Sequence, residues 1–209
     1  MTERLIKQAG NNKERQETYR YQMGRYKTAI RNEFYFEALI IVYALLEDRL
    51  KAFLYYCGFI TNRNELKICK KIKQEVNVIM KGEMPDARSL RSIQNKISCV
   101  RNILEWSEAV YTKDIAENEY YICLKSQIEC IDVGGMLDVL ADLSREKTGW
   151  LAYRNEVIHA SMNKNVHALY ENLSEQVEKG MECARFIDNQ VKILKNKAKV
   201  RKVLKLQNN

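Results

Sequence analysis

Proline is nearly absent from this chain. Pro85 is the only one among 209 residues, and glycine occurs eight times. All-β folds use both residues in many turns, so this shortage points away from a sandwich or barrel of short strands. Histidine is as scarce, with only His159 and His167. A polar loop separates them and no Cys or His spacing matches a zinc site, so no metal is expected. No glycine-rich phosphate loop occurs, which argues against a nucleotide cofactor. The six cysteines, Cys57, Cys69, Cys99, Cys123, Cys130 and Cys183, form no C-x-x-C pair. They fall in apolar helical patterns, where a free thiol acts as a small hydrophobe. The opening "MTERLIKQAGNNKERQ" lacks the apolar stretch of a signal peptide, so the expectation is a reduced, cytoplasmic protein. No apolar run reaches bilayer length. The longest candidate, "FEALIIVYALLEDRLKAFLYY", is interrupted by Glu47, Asp48, Arg49 and Lys51, and no membrane span is expected.

What is present fits a globular helical protein. Hydrophobic residues make up 46% of the chain, enough for a core without staples. Lys and Arg number 35 against 27 acidic residues, a net charge of +8. Such an excess raises the local concentration of polyanions, with RNA, DNA and anionic membrane as candidates, and does not choose among them.

Along the chain, residues 13–31 are polar with tyrosines at helical spacing and read as a surface helix. Residues 33–58 follow. Ala38, Ile41, Leu45 and Arg49 share one stripe, and Leu39, Val42, Leu46 and Leu50 the next, so this helix is apolar on nearly all sides and belongs at the centre. Gly58 suits its C-terminal cap. Residues 63–81 predict a short basic helix, "GEMPD" a turn, and Asp86 the N-cap of a helix over 87–105. Another helical pattern runs from 107 to 131. Its segment "YYICLKSQIECI" is rich enough in β-branched and aromatic residues to hide a strand. "VGG" at 133–135 predicts a break, 136–160 a single helix, "SMNKNVH" a loop, and 167–206 a long final helix. The reading is an all-α bundle, divided into an N-terminal helical extension (1–32), a helical domain (33–194) and a basic C-terminal helix end (195–209).

The segment "WLAYRNEVIHA" carries the candidate chemistry. Arg154 and His159 are five residues apart, about 140° around a helix. Asn155 and His159 are four apart and share a face, so the amide can hydrogen-bond the imidazole and set its orientation. The trio suits phosphodiester chemistry. Imidazole can accept or donate a proton near neutral pH, and guanidinium can clamp a phosphate and neutralise charge in the transition state. On RNA this supports attack of a 2′-OH on the adjacent phosphorus, leaving a 2′,3′-cyclic phosphate without a metal. The same residues also suit an ordinary helix C-terminus, where cations favour the macrodipole.

The arrangement resembles the HEPN family of small helical ribonucleases. Three features carry the resemblance: the Arg-polar-x-x-x-His motif at Arg154, Asn155 and His159; its place before a short polar loop and a last long helix; and "LLEDRL" in an early apolar helix, where Glu47, Asp48 and Arg49 look like the family's acidic–basic cluster. Together they span most of residues 33–194 and imply a HEPN-like helical bundle. The resemblance implies a homodimer in which two motif copies face each other across one cleft, restrained by an antitoxin, a guide or regulatory RNA, a protein or a modification. It implies roles in toxin–antitoxin pairs, abortive infection, RNA-targeting CRISPR systems and antiviral defence. One position departs: HEPN toxins controlled by a nucleotidyltransferase carry a modified tyrosine two residues after the histidine, and here that residue is Ser161, although Tyr153 and Tyr170 lie nearby.

Two further groups have open readings. Glu47, Asp48 and Arg49 either orient Arg154 or His159, or form part of a partly buried structural face. Lys195, Lys197, Lys199, Arg201 and Lys202 either track an RNA backbone or form a solvated helix end with cations favourable to the dipole. Val200, Val203, Leu204 and Leu206 make too thin an apolar face for membrane binding. Most tyrosines read as core residues with wet hydroxyls. The expectation is a metal-independent endoribonuclease, with a helical RNA- or protein-binding module as the alternative.

Overall fold

The computed structural model describes residues 12–109, 118–160 and 170–206. It is mostly helical, as the scarcity of turn residues requires. In chain order the elements are α1 (Asn12–Arg31), α2 (Tyr35–Tyr56), β1 (Ile60–Asn62), β2 (Lys67–Ile68), α3 (Lys73–Ile79), α4 (Ile93–Ala109), α5 (Glu119–Ile128), α6 (Val133–Ser144), α7 (Trp150–Ala160), α8 (Leu173–Asn196) and α9 (Lys199–Val203), with short 3-10 turns at Lys70–Ile72 and Ser89–Arg91.

Helix α2 is central, as its all-round apolar pattern predicts. Leu39, Val42, Leu46, Leu50, Phe53 and Leu54 are fully buried in it, and each such side chain contributes about 1.5–3 kcal/mol. Helix α8 packs along it most extensively, with α1 and α4 on its other sides. Gly58, at φ +75°, turns the chain out of α2, a left-handed conformation that glycine adopts without strain.

Several expectations change, while the helical reading of 120–128 holds. Residues 63–81 are not one helix. β1 and β2 form an antiparallel hairpin, in which Asn62 Oδ1 accepts from the Asn64 amide at 2.8 Å. That local side-chain bond competes with helical pairing, and the hairpin buries Ile60 and Leu66. Asp86 Oδ1 accepts from the Ser89 amide in the turn that leads into the 3-10 turn at Ser89–Arg91 and does not cap the longer helix, which starts at Ile93 and runs to Ala109. The segment that could hide a strand is helical from Glu119 to Ile128, because Asn118 Oδ1 accepts from the amides of Tyr120 and Tyr121 and caps it. Gly134 and Gly135 do not break the chain either. Asp132 Oδ1 accepts from the Gly135 amide at 2.9 Å and starts α6 three residues earlier than the pattern suggests.

The single helix expected over 136–160 is split at Arg145–Gly149. The Gly149 amide closes a turn onto the Arg145 carbonyl at 2.8 Å. The turn lets Trp150, 1% exposed, lie on Gly180 of α8 and donate its indole N–H to the Gln176 carbonyl at 2.7 Å.

The final helix is also divided. The chain kinks at Lys197–Ala198, and α9 folds back against α5. Val200 and Leu204 are buried there. Gln127 on α5 joins three elements, donating to the Tyr56 carbonyl at 3.1 Å and accepting from the Val200 amide at 3.4 Å. The six cysteines are free thiols; burial pushes those of Cys99 and Cys183 up to about 11.

Replacing Gly180 by alanine tests the seat of Trp150. Helix propensity alone favours alanine by about 1 kcal/mol. A Cβ at 180 would lie 2.5 Å from the indole ring, and overpacking costs about 1–3 kcal/mol. Gly180→Ala is therefore expected to lower stability, read as a lower urea midpoint and a changed near-UV tryptophan signal. An unchanged or raised midpoint would show that the indole is free to shift.

Candidate functional site

Helix α7 is anchored by Trp150, Leu151 and Val157, which are buried. This leaves Arg154 half-buried and Asn155 and His159 exposed. The Arg154 guanidinium carbon lies 3.9 Å from the centroid of the Tyr43 ring on α2, a stacked cation–π contact of about 1–2 kcal/mol when partly desolvated. Its Nη1 donates to Asn155 Oδ1 at 3.0 Å, and its Nε is buried without an acceptor. Burial raises the affinity of the Tyr43 hydroxyl for its proton, Arg154 opposes this and Glu47 reinforces it.

The three motif residues thus share the second half of one helix, but the pairing differs from the one expected. Asn155 uses its carbonyl oxygen on Arg154 rather than on the His159 ring. The adjacent guanidinium is a charged donor, and Tyr43 holds it flat beside the amide. His159 lies in the last turn of α7, exposed to solvent, where a cation also favours the helix dipole. His167 and Ser161 lie outside the described residues. Tyr170 is exposed, and the Tyr153 hydroxyl is buried without a partner.

Glu47, Asp48 and Arg49 are engaged elsewhere. Glu47 pairs with Lys51 at 2.8 Å and with Lys96 of α4 at 3.1 Å. Asp48 pairs with its neighbour Arg49 and with Arg63 of the hairpin, the latter at 2.8 Å. Arg49 reaches Asp188 of α8 at 2.6 Å. These bonds tie α2 to three neighbouring elements. The role of orienting Arg154 falls instead to Tyr43, which spacing alone does not single out because its partner is distant in the chain.

The basic C-terminal residues divide as well. Lys195, Lys197, Lys199 and Lys202 are exposed. Arg201, expected among the surface cations, is 1% exposed. It stacks 3.6 Å over the Tyr55 ring and donates to the carbonyls of Tyr55 and Ile60 at 3.1 and 3.4 Å. The backbone at the end of α2 needs donors there, and the fold-back of α9 supplies one. Arg201 is thus a structural residue and not part of an exposed phosphate-tracking face.

Among the described residues no group of His, Cys, Asp or Glu could hold a metal ion, and no helix is long and apolar enough to cross a membrane.

The Glu47–Lys96 pair generates a prediction. The Lys96 side chain is fully buried, and its ammonium also donates to the carbonyls of Arg91 and Ser92. Burial opposes the charge on Glu47, but Lys51 and Lys96 together hold its carboxyl below the ordinary range. Its stabilising effect is therefore complete above the unfolded carboxylate range near pH 4 and is lost as pH falls through the lowered folded value. Glu47→Gln leaves a buried ammonium without its counter-charge and is expected to cost about 3 kcal/mol at pH 7. Urea unfolding between pH 3 and pH 7 should show a weaker acid dependence in the variant than in the wild type; parallel curves would mean that the pair is not formed. Compared with protein-family models, curated proteins and solved structures, the chain matches none of them.

Proposed function

We propose that this protein is a metal-independent endoribonuclease of HEPN type that acts as a homodimer. The observation carrying this reading is the Arg154 guanidinium, held between the Tyr43 face and Asn155 on the helix that ends at the exposed His159. A guanidinium fixed in this way is pre-organised for two phosphate oxygens. An exposed imidazole is free to take the proton of an attacking 2′-OH or to protonate the leaving 5′-oxygen. Asn155 keeps its amide N–H groups as neutral donors to the same phosphate.

One motif on an open surface makes half of a cleft. A second copy facing it would exclude water and supply the second acid–base group that the cyclic-phosphate mechanism requires. The exposed Lys195, Lys197, Lys199 and Lys202 would add backbone contacts along the RNA. The setting proposed is cytoplasmic, in a toxin–antitoxin pair or a prokaryotic defence system such as abortive infection, with a restraining antitoxin, RNA or protein partner. The competing reading is a non-catalytic RNA- or protein-binding module, favoured by the same exposed lysines and by Asn155 pairing with Arg154 rather than with His159.

The deciding experiment incubates wild type, Arg154→Ala and His159→Ala with cellular RNA and excess EDTA, and analyses fragment ends. Wild type is expected to leave 2′,3′-cyclic phosphates, with cleavage reduced about 100-fold or more in either variant. Intact RNA with all three proteins, together with salt-sensitive RNA binding, would establish the binding module instead.

A further inference from the structure

A cleft of about 260 Å³ opens where α1, α2, the β-hairpin and α8 meet. It is separate from the motif. Arg49, in its wall, follows Tyr43 by six residues, which places it about 120° around α2 and ~9 Å along it. Six cations line the cleft, Arg15, Arg20, Arg49, Arg63, Lys192 and Lys195, along with the rings of Tyr19 and Tyr56.

The charges there do not balance. Lys192, Asp188, Arg49, Asp48 and Arg63 form one alternating chain of ion pairs. It uses three of the cations, the cleft's carboxylate Asp188 and the neighbouring Asp48. Arg15 donates to the neutral Asn64 oxygen at 2.9 Å, and Arg20 and Lys195 have no carboxylate partner among the described residues. Among the described residues, six cations line the cleft against one carboxylate, Asp188; counting Asp48, which pairs with Arg49 and Arg63 from beside it, the excess is four, set against a net +8 for the whole chain. Burial and the Arg63 charge both weaken the hold of Arg15 on its proton, and Asp48 offsets them only in part.

A second observation concerns the solvation of these cations. The Nε atoms of Arg15, Arg49 and Arg63 are buried without a hydrogen-bond partner, and the Arg63 side chain is only 9% exposed. These nitrogens are closed to water, so a ligand would not meet them; they show that the three guanidiniums are partly desolvated, which strengthens the field of their charge in the cleft. The excess of cations over carboxylates calls for a multivalent anion rich in acceptor oxygens. A carboxylate brings one charge, whereas a phosphoryl group brings about two and several oxygens that suit guanidinium forks. The volume lies just under the ~300–1,000 Å³ typical of drug-sized sites, which fits a compact phosphorylated group.

We propose that this cleft binds a small phosphorylated ligand through its terminal phosphate or diphosphate. Arg15, Arg20 and Lys195 supply the charges left over by the ion-pair chain, and Arg63 and Arg49 form the buried floor, the latter with its guanidinium 5.4 Å from the Tyr19 ring centroid. Because the cleft bridges α1, α2 and α8, a ligand there would pin the N-terminal half of α1 to the body.

The test uses the full chain at 150 mM salt, titrated calorimetrically with pyrophosphate and then inorganic phosphate, with matched chloride as the blank. The paired variant Arg15→Gln/Arg20→Gln removes two cleft cations without touching the ion-pair chain. Lys27→Gln/Lys179→Gln removes the same charge from exposed positions elsewhere. Saturable 1:1 binding of pyrophosphate is expected, with a raised Tm. The first pair should weaken it about tenfold or more, while the second leaves it unchanged. No saturable binding, or equal weakening by both pairs, overturns the proposal. So does binding of a 5′-phosphorylated RNA dinucleotide without binding of pyrophosphate, which would make the cleft an RNA contact. Ribonuclease activity does not enter this readout, so its outcome is independent of the reading of Arg154 and His159.

Discussion

Three consecutive charged residues sit inside a helix that is apolar on nearly every side, and the surrounding structure is organised around that constraint. Glu47, Asp48 and Arg49 are only partly exposed on α2, and a partly desolvated charge without a partner is costly. Each therefore takes a partner from a different element: Lys96 from α4, Arg63 from the hairpin and Asp188 from α8. Hydrophobic burial supplies most of the free energy of packing around α2. The ion pairs decide which helix lies on which side, since a sliding α4 or α8 would leave a charge behind. The net stabilisation from such pairs is modest; their effect is on register.

The same network separates two regions with different chemistry. On one side of α2, Tyr43 presents its ring to Arg154 and fixes a guanidinium beside the exposed end of α7. On another, the ion-pair chain forms the wall of a cleft whose cations outnumber its carboxylates. The positive charge read from composition is thus not a uniform coat. Part of it is concentrated between α1, α2 and α8, part is spread over exposed lysines from Lys195 to Lys202, and part is structural. Arg201 belongs to the last group. It is a cation buried because an aromatic face and two backbone carbonyls replace its water.

The sequence by itself determined the helical class, the central position of α2 and the identity of the motif residues, because each depends on composition or on spacings within a single helix. It also marked Gly58 as the point where α2 ends, since a left-handed cap is local chemistry. Only the tertiary structure decided the rest. Trp150 needs Gly180, thirty residues away, and that contact divides an apparently continuous helix at Gly149. Asn155 turns to Arg154 because Tyr43, from a distant helix, holds the guanidinium beside it. The basic end of the chain folds inward because Gln127 and the end of α2 offer polar partners that periodicity cannot reveal. Periodicity reports which face of a helix is apolar. It carries no information about which other segment covers that face, and that choice placed Arg201 in the core and gathered six cations around one cleft.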